Sequence, residues 1–148
     1  MKDYREKPVK RRYWFLVTIF AFVVYSEKSI SRELKPFTSD GCSAFPDGTF
    51  SQRKLWLQCC TDHDFAYWKG GTYKERLQAD IELRNCVWEV VEEEVALIML
   101  AGVRVGGSPF FPTKFRWGYG WTYPRFYGPL SEKELDMIRN ITDCNSQC

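Results

Sequence analysis

From about Gln52 the apolar positions recur at three- and four-residue steps. Leu55, Cys59, Asp62 or His63, and Ala66 fall along one side of a predicted first helix. Lys69-Gly70-Gly71-Thr72 closes that helix, because glycine accepts the positive φ of a helix C-terminus. Thr72, followed three residues later by Glu75, forms a capping box for a second helix. This helix is expected from about Tyr73 to Ala101, with Ala79, Leu83, Cys86 and Val90 on one apolar stripe. Glu92, Glu93 and Glu94 interrupt its apolar surface and read as a solvated face. A connection as short as Gly70-Gly71 requires the two helices to lie side by side and antiparallel.

From Gly102 the texture changes. Gly106-Gly107, Pro109 and Pro112 exclude continued helix, and residues 110–127 form an irregular, aromatic-rich segment. Ser131 with Glu134 caps a short final helix through about Ile141. Upstream, residues 27–37 are a polar lead-in, and the glycines, proline and aspartates of residues 38–49 mark a loop. The expected fold is mainly α: two long antiparallel helices, an irregular aromatic-rich segment and a short C-terminal helix, in one domain over residues 27–148.

Charge separates the N-terminus from the rest. The net charge of +2 is too small to suggest nucleic-acid binding. Residues 1–26 hold six basic and two acidic side chains, which leaves the remainder close to neutral. Lys7, Lys10, Arg11 and Arg12 precede the apolar run Tyr13 to Tyr25. That run is shorter than the roughly 20 residues of a membrane span and fits the apolar core of a secretory signal. Residues 1–26 are therefore read as a signal peptide cleaved after Ser26, giving a secreted or periplasmic protein. The alternative is an uncleaved membrane anchor through residues 13–25. Six cysteines follow: Cys42, Cys59, Cys60, Cys86, Cys144 and Cys148. An even number behind an export signal reads as a disulfide framework, although counting does not choose the pairs.

The candidate chemistry lies in Cys59-Cys60-Thr61-Asp62-His63-Asp64-Phe65-Ala66-Tyr67. On a helix, Cys60, His63, Asp64 and Tyr67 share a face. His63 is the only histidine, and a neutral imidazole can take a proton from water. Asp64 offers a hard carboxylate suited to calcium. The loop from Gly41 to Gly48 can add oxygen ligands: the backbone of Gly41, Ser43 and Phe45, and Asp47, whose side chain is either a ligand or part of a turn. A zinc site built from Cys59, Cys60, His63 and Cys86 is a rival. Adjacent cysteines on a helix point about 100° apart, which argues against it. The aromatic segment also has two readings. Its rings form irregular core, or Trp117, Tyr119, Trp121 and Tyr123 settle at a lipid interface, with Lys114, Arg116 and Arg125 near anionic headgroups.

The helical stretch resembles the CCxxHDxxY signature of secreted phospholipase A2 enzymes. The resemblance continues in Asp80, six residues before Cys86, and spans about residues 39–88. It implies a phospholipase A2-like domain over residues 27–148, an exported enzyme cleaving an acyl ester of a phospholipid with calcium (Ca2+) as cofactor. By that resemblance His63 is the general base, Asp80 orients it, Tyr67 hydrogen-bonds Asp80, and Asp64 holds the metal. It further implies the pairs Cys59–Cys86 and Cys42–Cys60, leaving Cys144 and Cys148 for each other. The implied partner is a phospholipid or membrane surface, met by a monomer. The loop departs from the family pattern: Cys42 precedes Ser43-Ala44-Phe45-Pro46-Asp47-Gly48 rather than a glycine-rich turn. That departure keeps open a non-catalytic lipid- or protein-binding module on the same scaffold, or a hydrolase of some other ester.

Overall fold

The structure is a computed structural model that describes residues 32–147. The signal or anchor reading of residues 1–26 lies outside the described residues, as does Cys148 and with it the Cys144–Cys148 pair. Four helices follow one another: α1 (Leu57–Lys69), α2 (Tyr73–Trp88), α3 (Glu93–Gly106) and α4 (Glu132–Gln147). Among the described residues there is no strand, only an isolated antiparallel bridge between Leu34 and Trp121. Mainly α is therefore correct. No described helix is long and apolar enough to cross a membrane.

Side-chain pairings fix the direction of α1 against α2. Cys59, near the start of α1, is bonded to Cys86, near the end of α2, with the Cα atoms 5.7 Å apart. Farther along, His63 and then Tyr67 meet Asp80 and Arg76 in turn. Rising numbers on one helix meet falling numbers on the other, so the pair is antiparallel, as the short link requires. The turn itself is set by Gly70 and Gly71, both at positive φ. The capping box at Thr72 forms in full, with Glu75 bonded back to the Thr72 backbone.

The second helix departs from expectation. It does not run to Ala101 but stops at Trp88, and a new helix begins at Glu93. In one continuous helix Glu89 and Glu93 would face each other at i,i+4 and repel. Starting afresh instead puts Glu93 and Glu94 in the first turn of α3, where the positive end of the helix dipole favours carboxylates. The three glutamates 92–94 are solvated as expected, but they open a helix rather than decorate one. Val90 accordingly falls outside the helix and is exposed, and Val87 takes the last core position of α2. The break lets α3 fold back over α2. Trp56, Cys59, Cys60, Leu83 and Val87 pack with Ala96 and Met99 in one core cluster. The Arg76 guanidinium donates to the carbonyls of Val103 and Arg104, which ties the start of α2 to the end of α3. Other boundaries also moved. α1 starts at Leu57 because residues 51–56 form turns, and α4 is longer than expected, reaching Gln147.

The aromatic segment supplies what the end of α1 lacks. The last carbonyls of a helix have no partner within it. Here Gly118 N–H donates to Tyr67 O, Gly120 N–H to Trp68 O and the Trp121 indole to Lys69 O. The Trp117 indole donates to Gly71 O. Gly120 allows this approach, since a Cβ there would run into the Trp68 ring and carbonyl. Trp117 and Trp121 are consequently buried, and so are Arg116 and Arg125. These four do not sit at a surface where lipid could reach them, whereas Tyr123 and Lys114 of the same segment are exposed. Arg116 spends its guanidinium on the carbonyls of Trp117, Gly118 and Trp121. Burial pulls its pKa, and that of Arg125, below the usual value. Trp68 and Trp121 then join Leu34 and Ile138 in a second core cluster that seats α4.

Candidate functional site

α1 places Cys60, His63, Asp64 and Tyr67 along one cavity of 370 Å3, a size typical of small-ligand pockets. The far wall is α3, through Ile98, Met99, Gly102, Val103 and Gly106. Residues 41–45 and Phe115 complete it. The walls are apolar apart from His63, Asp64, Tyr67 and the loop. None of the α3 residues was expected at the site. They enter only because α2 breaks at Trp88 and α3 doubles back.

His63 is buried, and its Nε2 lies 3.1 Å from Asp80 Oδ1 across the gap between α1 and α2. Asp80 is wholly buried and accepts a second bond on the same oxygen from the Tyr67 hydroxyl, at 2.6 Å. Its other oxygen, Oδ2, faces Arg104 Nε at 2.8 Å, with Arg76 Nε at 3.9 Å. Oδ1 thus holds two hydrogen bonds, whereas Oδ2 is balanced by the nearby arginine charges without a formed hydrogen bond. Nε2–H donating to Asp80 fixes one tautomer of the neutral ring and leaves Nδ1 as the atom able to take a proton. The Tyr67 ring lies against the imidazole, with centroids 4.2 Å apart. Burial first, and then the Asp80 charge, push the Tyr67 phenol far above its usual range, so it remains a neutral donor. Sequence reasoning missed Arg76 and Arg104. The i,i+4 spacing of Arg76 and Asp80 on α2 was a readable signal. Arg104 gave none, because its role depends on how α3 docks.

No protein-family model matches the sequence, and no curated protein or solved structure matches it either.

The disulfides Cys42–Cys60 and Cys59–Cys86 are both formed. They consume three of the four ligands of the rival zinc site, which is thereby excluded. They also mark the chain as a protein of an oxidising, non-cytosolic compartment. Cys42–Cys60 pins the loop to α1 beside Asp64. Cys144 is exposed.

Within the loop, Ser43 adopts φ 55°, the left-handed conformation that a glycine would take at no cost, and its hydroxyl donates to Asp40 Oδ1. The chain therefore bends beside Cys42 although the glycine-rich turn is missing. Asp47 does not line the cavity. Its Oδ1 accepts from Cys42 N–H at 2.9 Å, and its carbonyl accepts from Trp56 N–H, so it ties the loop to the start of α1. Asp40 is paired with Lys114 at 2.7 Å. Among the described residues no three His, Cys, Asp or Glu side chains converge to hold a metal. Any cation here would rest on Asp64 and on oxygens of residues 41–45.

Asp64 is the carboxylate that lines the cavity. It accepts from the Ser39 hydroxyl at 2.6 Å and has no Lys or Arg ion-pair partner among the described residues. Burial raises its pKa above the usual carboxylate value, against the opposing pull of Ser39 and His63. The native state therefore binds the Asp64 proton more tightly than the unfolded chain does. Stability falls as pH rises from about the unfolded value, 3.8, through the raised native one, and the cost is then fully present at neutral pH. Asp64→Asn removes that cost. In metal-free buffer at pH 7 it is expected to melt above the wild type, and the difference should vanish at pH 3. A calcium ion resting on Asp64 would stabilise the wild type by about 2.7 kcal/mol at a hundredfold excess over Kd, and would leave Asp64→Asn unmoved. Calorimetric scans of the two proteins, with calcium and with chelator, decide this. Equal calcium shifts in both would remove Asp64 from any metal site.

Proposed function

We propose that the protein is an acyl-ester hydrolase of the phospholipase A2 type, exported from the cell and acting on lipid. One observation carries the reading: a lone histidine, held by a buried carboxylate from the neighbouring helix, in the wall of an apolar cavity. His63 Nδ1 takes a proton from a water as that water attacks the ester carbonyl. The same nitrogen returns the proton to the departing alkoxide, giving fatty acid and alcohol. Asp80 keeps the ring in the required tautomer and offsets the positive charge that the ring gains. Tyr67 holds Asp80. Asp64, with oxygens of residues 41–45, would hold calcium, which when bound supplies positive charge where the carbonyl oxygen becomes negative. The apolar lining formed by Phe45, Leu83, Ile98, Met99 and Val103 receives the acyl chain.

The lipid surface is met at the cavity mouth rather than by the tryptophans. Ile98 is 60% exposed and Phe115 41%, and both line the cavity. Leu97, Phe110 and Phe111 are exposed as well.

A second reading, a non-catalytic binding module, is favoured by the loop, where Asp47 is spent on the backbone of Cys42. Release of fatty acid from mixed phospholipid micelles separates the two. The hydrolase reading expects release with calcium and none with chelator. A correctly folded, disulfide-bonded chain that binds micelles without releasing fatty acid would establish the module instead.

A further inference from the structure

Two kinds of glycine occur around the cavity. Gly107, just past α3, is required by its surroundings, because a Cβ there would run into the Tyr67 ring. Gly102 is different. It lies inside α3, where glycine is the least favourable residue after proline. Yet a Cβ built on it meets nothing within 4 Å. No neighbour needs the room, and the φ needs no glycine, so neither packing nor backbone strain accounts for it. Gly102 is exposed, and the space over it is the open mouth of the cavity.

Ile98, Gly102 and Gly106 stand four residues apart and so share one face of α3, the face that lines the cavity. Across from this face are Leu83 of α2 and Tyr67 of α1. Between Ile98 and Gly106, where the Phe115 ring closes in, Gly102 leaves bare backbone at the cavity mouth. A bare stretch of helix beside apolar side chains suits a slim apolar ligand that gains from close contact with backbone and offers no polar group. A side chain at position 102 would occupy that space first.

We infer that Gly102 is a specificity-determining residue: it keeps open the part of the cavity that takes an unbranched alkyl chain, and the side chain at this position sets which chains enter. The inference rests on the hydrolase reading for the identity of the chain as an acyl group. Binding of the chain itself does not depend on turnover.

The test is equilibrium binding of laurate, below its micelle concentration, to the full oxidised chain, measured by calorimetry. Gly102→Ala is expected to melt higher than the wild type, through its better helix propensity, and to bind laurate within about threefold of it. Gly102→Leu is expected to fold with both disulfides intact and to lose laurate affinity at least about tenfold, the lower end of the roughly 10–200-fold effect of one methylene in an apolar pocket. Val105→Met, on the exposed side of the same helix, controls for an added long side chain and should bind as the wild type does. Wild-type laurate affinity in Gly102→Leu would overturn the inference, as would a wild type that does not bind laurate. If laurate binds, Gly102→Leu abolishes it and no ester is cleaved, the chain site stands and only the hydrolase reading fails.

Discussion

Replacing His63 with Gln is expected to lower fatty-acid release by about 10²–10⁴-fold, the usual contribution of a positioned general base. The fold should survive. His63 touches Asp80 through Nε2, and the amide N–H of Gln can donate to the same Oδ1 from nearly the same place. The substitution therefore keeps the buried hydrogen bond and removes only the second ring nitrogen, the one free to accept a proton. His63→Ala, by contrast, leaves Asp80 one donor short and should cost stability as well as turnover. Comparing the two separates chemistry from packing: equal losses of activity with unequal melting temperatures are expected. Turnover by His63→Gln within about tenfold of the wild type would take the imidazole out of the mechanism. The measurement is initial-rate release at saturating calcium, with melting curves on the same samples.

Much of this site is legible in the chain because it is built from local rules. The HD pair and Tyr67 sit three, four and seven residues after Cys60, and helix periodicity alone puts them together. The Gly-Gly turn and the capping box then force α2 back along α1, which carries Asp80 to His63. What stayed hidden depends on contacts distant in sequence. The apolar run through Leu97, Ile98, Met99 and Leu100 is compatible with one long α2 as far as propensity goes. The packing gained by folding α3 over Leu83 and Val87 adds to the weak repulsion of Glu89 and Glu93 in selecting the break at Trp88. With the break missed, the opposite wall of the cavity and Arg104 were missed too. The same holds for the aromatic segment. Tryptophan between glycines is equally consistent with a lipid interface and with a strap across a helix end. The choice rests on where the end carbonyls of α1, at Tyr67, Trp68 and Lys69, lie, and a sequence does not display that.

The break has a further consequence, because it brings a cation to the residue that holds the histidine. Asp80 Oδ1 serves His63 and Tyr67, while Oδ2 serves Arg104, with Arg76 close behind. His63 and Tyr67 each present a hydrogen to Oδ1, while Arg104 and Arg76 stand beside Oδ2 as positive charges, the Arg76 Nε–H being given to the Tyr67 hydroxyl. Asn at position 80 has the right shape but only one acceptor, so its amide N–H2 must face either the guanidinium or the imidazole N–H. Asp80→Asn is accordingly expected to cost about 3 kcal/mol or more, the range for removing one member of a buried charge pair. For a domain of this size that lowers the melting temperature by about 10 °C or more. Arg104→Met should cost less, since the Arg104 side chain is 34% exposed and Asp80 keeps its other donors. If Asp80 and Arg104 act as a pair, Asp80→Leu combined with Arg104→Met loses less than the sum of the single losses. Neither charge is then left buried alone, and the coupling energy falls within about 0.5–3 kcal/mol. Activity should follow a different order. Measured well below every melting temperature, Asp80→Asn loses turnover with His63 intact, because nothing then enforces the Nε2–H tautomer. Arg104→Met retains turnover, because the contact between His63 and Asp80 is untouched. An Asp80→Asn protein that melts and turns over like the wild type would show that the imidazole is held by something other than this carboxylate.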